Sequence, residues 1–295
     1  MRMRWLNRLP VILVAALLLC SCAASKYAVN ADYPVIKSKY VPKGTLTDVF
    51  FPSSEPGITQ RRAYVYLPDG YDLSDCRYPV LYLLHGARGN ETVWIDKAEI
   101  LKDIDSLVLC GAMKPTIVVF PNMNQYNSDS DYGKSRLKSA LESFYEVDGT
   151  VEKRFIHDVV NATDSMFRTI PVKDSRAVAG LSIGAMQSIY LSANFPDSFG
   201  YVGMFSPMVY SFLKPGRDNG FYFRLAHKLE TQFADAPSLY LLRIGHRDFF
   251  CHTVKGYSRY LDSHGYPYDV KYVSGGHEWY NWRDFCDEFM SMLWK

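Results

Sequence analysis

Gly180-Leu181-Ser182-Ile183-Gly184 sets a serine between two glycines. An apolar strand-like stretch precedes it and a helix-like one follows. A serine at a sharp strand-to-helix turn is pushed out where a substrate can reach its hydroxyl, and the flanking glycines let neighbouring elements pass close. The start of the helix also points backbone N–H groups at a developing negative charge. Such a serine attacks acyl carbons when a histidine takes its proton and an acid orients the histidine.

The acid and the histidine are expected to follow the serine in the chain. Of seven histidines, five follow Ser182: His227, His246, His252, His264 and His277. His277 lies in Ser274-Gly275-Gly276-His277, just past a strand, where catalytic groups gather in open α/β sheets. The competing role for it is a polar helix cap. His246 follows a strand but sits too near the acid to be oriented by it. His227, His252 and His264 read as helix-surface residues. Asp248, in Gly245-His246-Arg247-Asp248, ends the preceding strand and is the expected acid. Asp235, Asp262 and Asp269 fall at the wrong edge, on a helix and at a strand start.

An oxyanion hole needs two N–H donors. One is expected from Ile183. The other is expected from Gly86 or Ala87, in the loop Leu83-Leu84-His85-Gly86-Ala87-Arg88-Gly89, where His85 reads as a structural support. Trp94 and Trp279 are candidate pocket walls, with plain packing nearly as good an account. The reaction needs no metal and no cofactor.

The elements that must position these groups alternate. Strands are expected at Thr45–Phe51, Arg61–Leu67, Tyr78–Leu84, Thr116–Phe120, Arg176–Gly180, Tyr201–Phe205, Leu239–Ile244 and Tyr268–Val273. Helices are expected at Glu91–Leu109, Val151–Phe167, Ile183–Asn194, Phe249–His264 and His277–Leu293. That alternation implies a mostly parallel sheet of about eight strands with helices on both faces, in one domain over residues 45–295. Two irregular stretches, 121–150 and 206–236, are candidates for a lid or a substrate wall.

Residues 1–22 form a different kind of segment. Arg2, Arg4 and Arg8 precede an unbroken apolar run, Val11–Leu19, too short to span a bilayer. The pattern is that of a secretory signal peptide. Leu19-Cys20-Ser21-Cys22 fits a bacterial lipoprotein box with Cys22 as the lipidated residue, the alternative being an ordinary cleaved signal. An exported protein, periplasmic or attached to the outer membrane through its lipid, is expected. Residues 23–44 read as a tether. Setting the leader aside removes three of the 33 basic residues and none of the 31 acidic ones. The net charge falls from +2 to −1, which argues against a nucleic-acid partner. Cys76, Cys110, Cys251 and Cys286 remain, too scattered for a zinc site. Export permits disulfides, and Cys251 with Cys286 is one conceivable pair. The 22 tyrosines fit either a large aromatic core or surfaces that stack on rings.

Taken together, the chain resembles the esterase family of α/β-hydrolases that includes esterase D, feruloyl esterases and acetyl-ester hydrolases. The features that carry the resemblance are Tyr82-Leu83-Leu84-His85-Gly86 followed by Trp94, the stretch Ala177–Gly184, the Gly245–Asp248 turn, and Gly275-Gly276-His277-Glu278-Trp279. They run in consistent order through residues 45–295. The family usually carries Met-Gly-Gly after its serine, where this chain has Ile183-Gly184-Ala185. The resemblance implies an α/β-hydrolase fold and a serine esterase working through an acyl-enzyme, with acetyl or feruloyl esters of polysaccharides as expected substrates. An acyltransferase to a sugar or lipid hydroxyl is the alternative within enzymes. A non-catalytic surface-binding lipoprotein is the alternative outside them.

Overall fold

The structure is a computed structural model that describes residues 35–54, 60–124, 150–209 and 224–295. The leader with Cys22, residues 23–34 of the expected tether, residues 125–149 of the first irregular stretch and 210–223 of the second lie outside the described residues.

Eight strands form one sheet: β1 (Thr45–Pro52), β2 (Gln60–Leu67), β3 (Val80–Leu84), β4 (Ile117–Pro121), β5 (Arg176–Leu181), β6 (Tyr201–Phe205), β7 (Leu239–Gly245) and β8 (Asp269–Val273). Their order across the sheet is β1-β2-β4-β3-β5-β6-β7-β8. β1 pairs antiparallel with β2, and β2 antiparallel with β4; every later pairing is parallel. β3, β4 and β6 are buried along their whole length. Continuous apolar runs are what a strand covered on both faces requires.

Alternate residues of each strand feed opposite cores. Val80, Tyr82 and Leu84 join one cluster. Leu81 and Leu83 join the other. Helices α1 (Val93–Lys97), α2 (Ile100–Leu109) and α8 (Trp279–Met292) cover the second face with Trp94, Ile104, Phe285 and Phe289. The first face is covered by α3 (Thr150–Phe155), α5 (Ile183–Asn194), α6 (Leu225–Ala234) and α7 (Cys251–Ser263). α3 runs through a π-helical stretch, Ile156–Val160, into α4 (Asn161–Met166).

Four expectations change. The single helix Glu91–Leu109 is two, because Glu99 adopts a left-handed φ of 50° between α1 and α2. The second irregular stretch contains α6, whose Leu225 and Leu229 recur at helical spacing and are buried. Cys251 and Cys286 are both free thiols. They belong to cores on opposite faces of the sheet, so the pairing is excluded by the layer between them. Finally, part of the segment read as a tether is fastened down. Asp96 Oδ1 accepts the backbone N–H groups of Lys37 and Ser38 at 2.6 and 3.1 Å. Asp105 accepts the Tyr40 hydroxyl and the Lys43 N–H, both at 2.8 Å, and the hydroxyl of Tyr66.

α8 lies on α2 through a two-pronged pair, Arg283 Nε and Nη2 to the two oxygens of Asp103 at 2.8 and 2.7 Å. Beside it, Asp287 has a buried oxygen with no hydrogen-bond partner. Burial, then the negative Asp103, push its carboxyl up to about 7, against a smaller opposing pull from Arg283. In the unfolded chain this carboxyl titrates near pH 4, so between about pH 4 and pH 7 the unfolded chain binds fewer protons and stability falls as pH rises. Asp287→Asn is therefore expected to stabilise the protein at pH 7.5 by about 1 kcal/mol, after allowance for solvent screening of a half-buried group, and much less at pH 4.5. Urea unfolding at the two pH values checks this; an equal gain at both would refute it.

Candidate active site

β5 delivers Ser182 to the carboxyl edge of the sheet, and the chain turns at once into α5. The turn is this tight because neither Gly180 nor Gly184 has room for a Cβ. A Cβ on Gly180 would lie 2.6 Å from the backbone carbon of Gly184, and one on Gly184 would lie 2.5 Å from the carbonyl oxygen of His85. Ala185, where the family usually has glycine, is buried in the core. Ser182 holds φ 55° and ψ −113°, outside the regions open to a residue with a Cβ. Such strain costs on the order of 1–3 kcal/mol. Ser182→Gly is expected to raise stability by about 1 kcal/mol while removing the candidate nucleophile. Parallel measurements of the urea midpoint and of ester turnover test this; an unchanged or lowered midpoint contradicts the strain.

The histidine and the acid arrive from the loops after β8 and β7. His277 Nε2 lies 3.1 Å from Ser182 Oγ, and His277 Nδ1 lies 2.8 Å from Asp248 Oδ2. A carboxylate can only accept, so Nδ1 carries the proton and Nε2 is left to take one from the serine. The other oxygen of Asp248 accepts the Phe250 N–H at 2.9 Å, which fixes the carboxylate plane. The Asp248 side chain is fully buried and that of His277 is 6% exposed. The imidazole is walled by Phe249, Phe250 and Trp282, with ring centroids 4.4, 5.3 and 4.7 Å away.

Two backbone N–H groups are the candidates for the expected oxyanion hole. The Ser182 N–H is spent on Phe205 O at 2.8 Å. The next one, on Ile183, is in the first turn of α5, where no carbonyl of the helix can accept it. Across from it, Gly86 lies against the serine: a Cβ there would be 3.4 Å from Ser182 Cβ. The Gly86 carbonyl accepts from His85 Nδ1 at 2.9 Å and from the Gly89 N–H at 3.0 Å. The planar trans peptide then turns the Ala87 N–H the opposite way, which favours Ala87 over Gly86 as the second donor. His85 acts as the support expected of it. Met123 N–H donates to its Nε2 at 2.9 Å, and burial pushes its pKa down to about 4, so the ring stays neutral.

The other expected residues fall as follows. Trp94 is not a pocket wall. It is 1% exposed, and its indole N–H donates to Leu84 O at 2.9 Å, bracing the strand end just before the oxyanion turn. Trp279 is half-buried in an aromatic row, edge-on to Trp94 at 5.8 Å and to Trp282 at 5.2 Å. His246 stacks on Tyr272, Asp235 pairs with Lys173, and Asp269 pairs with Arg243. Sequence reasoning missed Phe249, Phe250 and Trp282 around the histidine.

A mostly parallel eight-stranded sheet with helices on both faces, a serine at the turn after β5, and an acid and a histidine after β7 and β8 define the α/β-hydrolase class. Within that class the chain belongs to the family described as "Putative esterase", whose model matches residues 54–238, well over half of the sequence. The matched span stops before Asp248 and His277. Among curated relatives, an endo-1,4-beta-xylanase/feruloyl esterase of Xylanibacter ruminicola is 35% identical over 177 residues, 58% of this chain and 23% of that protein. The chain spans about a quarter or less of the length of the curated relatives it matches. Among solved structures, the CE1 ferulic acid esterase of the anaerobic fungus Anaeromyces mucronatus superposes with a TM-score of 0.68 at 22% identity, covering 91% of this chain and 98% of that one. An S-formylglutathione hydrolase of Staphylococcus aureus gives 0.61 at 18% identity, covering 88% and 98%. At these identities the structural likeness speaks for the fold.

Proposed function

We propose that this protein is an exported serine esterase that cleaves carboxylic esters through an acyl-enzyme. Ser182 Oγ attacks the acyl carbon while His277 Nε2 takes its proton. The same imidazolium then protonates the leaving alcohol. Water, activated by His277, releases the acid by the reverse steps. Asp248 holds the working tautomer and stabilises the imidazolium. The N–H groups of Ile183 and Ala87 hold the oxyanion. The observation that carries this reading is the unbroken line from Asp248 Oδ2 through His277 to Ser182 Oγ.

The substrates proposed are acetyl or feruloyl esters carried on polysaccharides. The feruloyl esterase named among the curated relatives supports this, as does the aromatic wall of Phe249 beside the histidine. Export and anchoring through a lipid on Cys22 rest on the basic and apolar leader and its Leu19–Cys22 box.

The test is hydrolysis of p-nitrophenyl acetate and methyl ferulate by the wild type and Ser182→Ala, with mass analysis after a fluorophosphonate probe. The wild type should turn over and carry the probe on Ser182, and the variant should do neither. Full turnover by Ser182→Ala would sink the reading.

A further inference from the structure

Behind the oxyanion turn lies a buried polar cluster that the serine chemistry leaves unused. The Glu91 carboxylate is buried, accepts the side-chain N–H of Asn122 at 2.6 Å, and pairs with Arg62 Nη1 at 3.6 Å. Arg62 also donates to the Tyr64 hydroxyl at 2.7 Å and pairs with Asp48 at 3.3 Å. Burying such charges carries a desolvation cost that their attraction often fails to recover, so stability is a weak reason for keeping them. Fixing geometry is a better one.

The geometry they fix is specific. Three consecutive residues after β4 each hold one point of the turn 85–91. Asn122 holds Glu91. The Met123 N–H holds His85 Nε2 at 2.9 Å, and Asn124 Nδ2 holds the Gly89 carbonyl at 3.0 Å. Asn122 and Asn124 are themselves pinned to β2 and to each other. Asn122 N donates to Arg62 O at 3.0 Å, Asn124 N to Asn122 Oδ1 at 3.0 Å, and Arg61 Nη1 to Asn124 O at 2.8 Å. His85 and Gly89 are the two residues whose hydrogen bonds lock the Gly86 carbonyl, and thereby aim the Ala87 N–H.

We propose that residues 122–124, clamped by Glu91 and Arg62, form a splint that positions the second oxyanion donor, with Asn122, Asn124 and Glu91 as positioning residues for the reaction. This rests on the esterase reading above. The splint touches no substrate. It acts by keeping one peptide plane from rotating, and the interaction it protects is made most strongly in the transition state.

The experiment compares wild type, Asn122→Ala, Asn124→Ala and Glu91→Gln on p-nitrophenyl acetate, and measures inhibition by an aryl trifluoromethyl ketone, whose serine adduct places an oxyanion on the same donors. Loss of a whole oxyanion donor costs about 100- to 1,000-fold in kcat, so a loosened one should cost about 10- to 100-fold. KM should stay within about threefold, and the ketone's Ki should rise by the same factor as kcat/KM falls. A destabilised fold with an intact site would lower the active fraction without that parallel. Asn124→Ala removes one surface-proximal bond to Gly89; it carries the test alone if the two buried variants do not fold. Folded splint variants with wild-type kcat, or with Ki unmoved, overturn the proposal. A wild type that neither turns over nor labels at Ser182 is the separate signature of a failed esterase reading.

Discussion

Asp248→Asn should lower kcat about 10,000-fold while leaving the fold intact. The loss follows from the groups that face the carboxylate. One oxygen receives the Phe250 N–H, a backbone donor that cannot turn away. An asparagine must therefore offer its carbonyl oxygen there and its NH₂ to His277. The imidazole answers with Nδ1 as acceptor and its proton on Nε2, which faces the Ser182 hydroxyl. A protonated Nε2 cannot take the serine's proton. The loss is one of tautomer rather than of geometry, so KM should change little. Steady-state kinetics on p-nitrophenyl acetate, beside a circular dichroism spectrum matching the wild type, check the outcome. A loss below about tenfold would mean that another group holds the histidine.

The second large effect is expected from a single methyl. In Gly184→Ala the new Cβ would lie 2.5 Å from His85 O and 2.8 Å from Leu84 O. Both are backbone atoms at the end of β3, so neither can swing aside as a side chain would. α5 must withdraw or the oxyanion turn must move. Overpacking of this kind costs about 3 kcal/mol. Either shift also separates the Ile183 and Ala87 donors, so kcat should fall about 100-fold. Urea unfolding and turnover, measured on the same preparation, decide it. Lost stability with intact turnover would show that the donors do not depend on this contact.

These two positions also show what the sequence could disclose. Gly180 to Gly184 was legible because a strand, a strained serine and a helix leave local marks, and α5 occupies the expected Ile183–Asn194. Asp248 and His277 were legible because each follows a strand at the same edge of the sheet. What could not be read depends on partners far along the chain. The break at Glu99 has no local signal, since apolar spacing continues across it from Trp94 and Ile95 to Leu101 and Ile104. For Trp94 the sequence leaves pocket wall and plain packing nearly level; its hydrogen bond to Leu84 O appears only when α1 folds back on β3. The bonds from residues 122–124 to the turn 85–91 link segments about 35 residues apart, and nothing in either segment alone announces them.

The fastening of residues 37–43 has a mechanical consequence. Any pull arriving through the chain ahead of Val35 meets the hydrogen bonds to Asp96 and Asp105 before it reaches β1. Those bonds are spread over α1 and α2, so the load is shared rather than taken one bond at a time. Among the described residues β1 is an edge strand, paired with β2 by the antiparallel ladder from Thr45 to Pro52. The clasp at Asp96 and Asp105 acts as a strain relief for that edge, so tugging on the chain ahead of Val35 would disturb a fringe of the domain far sooner than the serine at its centre.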